Sequence, residues 1–157
     1  MDKELQEIKD QIFNLLSYRE RSSLELRERL LQKGYGSEKI DEAIEYLQEA
    51  GYVNDEDFAY SWVKFRLKHR PRGRHLLIKE LYAKGIEEKI INKVLQDLLD
   101  PEKELEMGIS LARKWLNINK RILDQNKLKR YLYNKGFSVD MINKVIISLE
   151  EKDVLTK

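Results

Sequence analysis

The sequence predicts an all-α protein made of three tandem three-helix repeats, stacked into an elongated, curved, solenoid-like chain. Three observations predict this. Leu, Glu, Lys, Ile and Arg dominate the 157 residues, against two prolines and seven glycines, which is a helix-forming composition. A short signature returns as "LLQKG" at 30–34, "LYAKG" at 81–85 and "LYNKG" at 132–136, with a step of 51 residues each time. The apolar positions around it keep the same step without a gap: Leu26, Leu77 and Leu128, then Leu30, Leu81 and Leu132, then Ile40, Ile91 and Ile142, then Leu47, Leu98 and Leu149. Self-similarity that holds register through a glycine turn marks a repeat architecture.

Each repeat divides into helices for physical reasons. The first helices are "LQEIKDQIFNLLSY", "FAYSWVKFRL" and "LEMGISLARKWL", each with apolar residues at helical spacing. In the third of these, Gly108 is expected to interrupt the helix. Ser22, Gly73 and Asp124 stand at one equivalent position before the middle helices, and all three are accepted N-cap types. The middle helices end in Lys-Gly. Glycine takes the left-handed conformation after a helix without a Cβ penalty, and the lysine faces the negative end of the helix dipole. The third helices begin a few residues later and carry Ile40, Ala43, Ile44 and Leu47 or their equivalents. Between the first two repeats, "AGYVNDEDFAYSWV" at 50–63 ends one helix at Gly51 and offers Asn54 or Asp55 as the next cap. These rules place the repeats at 1–51, 52–100 and 101–157. A unit near 50 residues buries only a marginal core alone, so neighbouring units are expected to pack end to end.

Composition excludes several classes. There is no cysteine, hence no disulfide framework and no thiolate metal site, as suits a reducing compartment. The opening "MDKELQEIKDQ" lacks the apolar stretch of a secretory signal. No apolar run approaches the roughly 20 residues that span a bilayer. The glycines of "KGYGSEK" follow a helix and lack the pattern of a nucleotide loop, and no phosphate-binding G-x-x-x-x-G-K-[ST] occurs. His69 and His75 sit among arginines that would repel a metal ion. No nucleophile, base and orienting acid can be picked out, so no enzyme, cofactor or metal is expected.

Net charge is +2, but the charges are unevenly placed. Residues 64–79, "KFRLKHRPRGRHLLIK", hold Lys64, Arg66, Lys68, Arg70, Arg72, Arg74 and Lys79 and no acid. A second acid-poor stretch runs from Arg113 to Arg130. Residues 38–57 carry the opposite sign, with Lys39 the only base. Arg19, Arg70 and Arg121 are equivalent in the repeat, and the same connector also holds Arg21 and Arg72. Charge runs are commonly no more than solvated surface. Seven bases without an acid in 64–79, however, are a poor way to gain solubility alone, and arginine suits bidentate contact with phosphate or carboxylate. These ten residues, Arg19, Arg21, Lys64, Arg66, Lys68, Arg70, Arg72, Arg74, Lys79 and Arg121, are the candidate partner-binding set, and the partner is expected to be polyanionic or acidic.

The stretches "RERSSLELRERLLQKGY" (19–35), "GYVNDEDFAYSWVKFRL" (51–67) and "RPRGRHLLIKELYAKGI" (70–86) resemble the RecX family of bacterial recombinase regulators, and the likeness continues through the third repeat. That repeat departs at Leu123, which stands where the others have Arg21 and Arg72. The resemblance implies tandem three-helix repeats. It also implies binding in the groove of the RecA–DNA filament, with inhibition of ATP hydrolysis, strand exchange and coprotease activity, in the cytoplasm and as a monomer. A direct DNA-binding repeat protein and a plain interaction scaffold are the competing readings. The near-zero net charge argues against DNA as sole partner, because phosphate neutralisation dominates such affinity.

Overall fold

The computed structural model describes residues 2–119 and 124–151. Among these there are nine helices and no strand: α1 (Lys3–Tyr18), α2 (Ser23–Gln32), α3 (Ser37–Glu49), α4 (Asp55–His69), α5 (Arg74–Ala83), α6 (Glu88–Leu98), α7 (Pro101–Ile118), α8 (Gln125–Asn134) and α9 (Val139–Glu151). None is long and apolar enough to cross a membrane.

The helix ends form by the chemistry their residues imply. Asp2 caps α1, its carboxylate accepting from Glu4 N at 3.0 Å and Leu5 N at 3.2 Å. The Ser22 hydroxyl accepts from Glu25 N at the start of α2, and Asp124 accepts from Asn126 N at the start of α8. Asp100 caps α7, whose first residue is Pro101, a residue that gives up an amide left without an intrahelical partner in any case. Each Lys-Gly terminus closes as a Schellman motif. Tyr35, Ile86 and Phe137 donate their amides back to Leu30, Leu81 and Leu132. Gly34, Gly85 and Gly136 donate to Leu31, Tyr82 and Tyr133. The three glycines have φ of 95°, 76° and 100°.

The contacts gather the chain into two units, Met1–Trp62 with Leu81–Ile91, and Val63–Glu80 with Asn92–Lys157, so the helices of the middle repeat are divided between them. In the first unit, α1, α2 and α3 pack on one another around Ile8, Ile12, Leu26, Leu30, Ile40, Ala43 and Leu47, all essentially inaccessible. In the second, α7, α8 and α9 pack around Ala112, Leu128, Leu132, Phe137, Val145 and Leu149. Burying each such Leu, Ile or Phe side chain contributes roughly 2 kcal/mol before entropy is counted.

One expectation is corrected. Gly108 does not interrupt its helix: α7 runs unbroken through it. The glycine serves packing instead. A Cβ there would lie 2.7 Å from Val145 Cγ2 and 3.3 Å from the Phe137 ring, so its absence lets α7 approach α9 and the core aromatic.

Candidate partner-binding surface

The connector between α1 and α2 is closed on itself. Arg21 is buried: its Nε donates to the Leu15 carbonyl at 3.1 Å and its Nη1 to Glu25 at 3.3 Å. Arg19 pairs with the same Glu25 carboxylate and donates to the Glu20 carbonyl at 2.9 Å. Lys84 adds its ammonium at 3.7 Å from Glu25 and lies 5.3 Å from the centre of the Trp62 ring. Three cations thus surround one carboxylate. Burial alone would raise the Glu25 carboxyl's pKa, but the Arg19 hydrogen bond and the charges of Lys84, Arg19 and Arg21 outweigh it and hold the pKa below its ordinary 4.5.

The connector between α4 and α5 carries the equivalent cations but not the carboxylate. Arg70 and Arg72 replace Arg19 and Arg21, and Lys135 replaces Lys84, but Leu76 stands where Glu25 would be. His69, Arg70, Pro71, Arg72, Leu111 and Lys135 line a cleft of about 390 Å³. Arg72 is half-buried, and its Nε is shielded from solvent with no hydrogen-bond acceptor. The Lys135 ammonium lies 5.6 Å from the centre of the Tyr131 ring. Among the described residues no carboxylate pairs with Arg70, Arg72 or Lys135.

The remaining candidates fall into different places. Lys64, Lys68 and Arg70 are exposed on or just after the last turns of α4, and Lys79 is exposed on α5. Arg66 is half-buried and its Nε donates to Glu80 at 3.0 Å. Arg74 opens α5 and donates its amide to the buried Glu104 carboxylate at 2.7 Å. Arg121 lies outside the described residues. Both histidines are exposed, and His69 packs against the Phe65 ring at 4.7 Å between centroids. Lys84 and Lys135, read from sequence only as helix-end lysines, are members of the two arginine clusters. The 51-residue shift held the signal, since it also aligns Lys84 with Lys135 and Glu25 with Leu76.

Fold and surface together define a class: an all-helical protein of tandem three-helix domains carrying arginine-rich connectors. Family models described as RecX first, second and third three-helix domain match residues 9–47, 54–95 and 102–146 in succession. The chain belongs to the RecX family. It is 35% identical over 143 residues to the regulatory protein RecX of Caldanaerobacter subterraneus, covering 91% of this chain and 71% of that one. With RecX of Amycolatopsis mediterranei it shares 33% identity over 88% of this chain and 80% of the other. It spans less of some relatives, 58% of a Clostridium botulinum regulatory protein RecX. Among solved structures, RecX from Lactobacillus salivarius superposes with a TM-score of 0.87 at 28% identity, covering 96% of this chain and 99% of that one. These relatives are named as regulatory proteins, and a regulatory role follows for the family.

Proposed function

We propose that this protein is a negative regulator of the RecA recombinase, acting in the cytoplasm as a monomer in DNA repair, recombination and the SOS response. It binds the RecA–DNA filament and lowers ATP hydrolysis, strand exchange and coprotease activity. The observation that carries this reading is the succession of three RecX domains along one chain. In this reading the repeats 1–51, 52–100 and 101–157 are docking modules, and linking them raises avidity on a polymer that offers one surface repeatedly. The exposed bases Lys64, Lys68, Arg70 and Lys79 support an anionic or acidic partner. Arg21 and Arg66 contribute less in this reading, because their guanidinium groups already have internal partners.

Direct DNA binding is the second reading, favoured by the exposed bases at the end of α4. The salt dependence of binding separates the two. On the recombinase filament, affinity is expected to exceed that for naked DNA and to fall less steeply with salt, since phosphate release governs the slope for DNA. Equal affinity and equal slope on naked DNA would replace the filament reading with the DNA one.

A further inference from the structure

The two arginine connectors are the same device in two states. In the first, Arg19, Arg21 and Lys84 converge on a carboxylate that the chain itself supplies, Glu25. In the second, Arg70, Arg72 and Lys135 occupy the equivalent positions and line one cleft, and the position equivalent to Glu25 in the sequence is Leu76, which supplies no carboxylate. The Nε of Arg72 is buried without an acceptor, whereas the Nε of Arg21 is satisfied by Leu15 O. A buried, unpaired donor on a charged group is costly. Arranging three cations without an anion adds mutual repulsion, and an incoming anion relieves both.

We propose that the Arg70, Arg72 and Lys135 cleft receives an acidic side chain of a partner protein, which completes this cluster from outside as Glu25 completes its counterpart from inside. The carboxylate is favoured over a nucleic-acid phosphate because the equivalent cluster in this chain already holds one. Only the partner's identity rests on the recombinase reading above.

The test begins with the Arg72 Nε–H resonance by NMR, titrated with an oligoglutamate peptide and, separately, with oligothymidylate at matched ionic strength. Oligoglutamate is expected to shift the signal saturably, in wild type and in Leu76→Gln alike. Leu76→Glu places a carboxylate four residues after Arg72, as Glu25 follows Arg21, and is expected to abolish the shift. Lys135→Gln, with helical content checked by circular dichroism, is expected to weaken oligoglutamate binding about tenfold, the scale for losing a charge-assisted contact. Absence of a saturable shift in wild type overturns the proposal, as does an undiminished shift in Leu76→Glu or an unchanged affinity in Lys135→Gln. Tighter binding of oligothymidylate overturns it in favour of a phosphate site. In a parallel arm, Leu76→Glu is expected to weaken filament binding relative to Leu76→Gln. Oligoglutamate binding by a wild type that ignores the filament keeps the site and removes the recombinase as its source.

Discussion

The Asp55 carboxylate accepts two hydrogen bonds from Ser23, one from its amide and one from its hydroxyl, each 2.7 Å. Asp55 is the first residue of α4 and Ser23 the first of α2, so an acid from the following repeat sits at the positive end of the preceding middle helix. Glu104 does the same for α5 through the Arg74 amide. Asp55→Ala therefore removes a second cap from α2 and is expected to cost about 1–2 kcal/mol in urea unfolding. Asp57→Ala, at an exposed position in the same turn, is expected to stay within about 0.5 kcal/mol. Equal effects would remove the bridging role assigned to Asp55.

Glu104 is 6% exposed, and its carboxylate is held by the amide that opens α5. Glu104→Ala leaves that amide without its partner in a buried place, with an expected loss of about 1–3 kcal/mol. Glu104→Gln keeps an acceptor oxygen and is expected to lose less. Chemical denaturation of both variants checks the order, and a glutamine variant as weak as the alanine one would show that charge rather than hydrogen bonding matters there.

The Lys-Gly helix ends share one conformation but not one environment. A Cβ on Gly34 would meet nothing within 4 Å, whereas on Gly85 it would lie 2.7 Å from Leu24 Cβ. Gly34→Ala is expected to cost about 1 kcal/mol, from the left-handed backbone alone. Gly85→Ala adds a clash with the first turn of α2 and is expected to lose more. Thermal melts of the two variants side by side decide it, and identical shifts would reduce Gly85 to a helix cap.

Glu25 links stability to pH. Its folded pKa lies below 4.5, so the stabilisation is fully present above 4.5 and is lost as pH falls through the folded value. Wild type is expected to exceed Glu25→Gln in stability at neutral pH, with the difference shrinking steadily on acidification below 4.5. Urea midpoints across that range test the sign. A difference that grows on acidification would mean that the carboxylate is not held by the cations around it.

Arg70→Glu combined with Arg72→Glu reverses charge in the open connector without touching a core side chain. Filament binding and inhibition of ATP hydrolysis are expected to weaken by about tenfold or more, with circular dichroism unchanged. Arg19→Glu is expected to act mainly on stability, because Arg19 is paired with Glu25. Full inhibition by the double variant at limiting concentration would clear the connector of a binding role.

The helices and their ends were legible residue by residue, because their causes are local. The spacing of Ile8, Ile12 and Leu15, the hydroxyl of Ser22 and the left-handed glycines act within a turn or two of the chain. The exact repeat step added which residues are equivalent. Equivalence did not carry over to environment. Arg21 and Arg72 match in sequence, yet one is buried on a backbone carbonyl and a carboxylate while the other's Nε is left without an acceptor. Gly73 reads as a mild helix cap, but a Cβ there would fall 2.5 Å from the Gly136 carbonyl carbon, and its own amide donates to Lys135 O at 2.7 Å. Asp55 reads as a possible cap of its own helix, but its carboxylate, like that of Glu104, closes a helix that begins about 30 residues earlier in the chain. Such partners are chosen by which helix ends meet after packing, a long-range outcome that no local pattern encodes. Glu25 lies one helical turn from Arg21 in the sequence, but the fold alone brings Lys84 to that carboxylate and Lys135 to the cleft of Arg70 and Arg72.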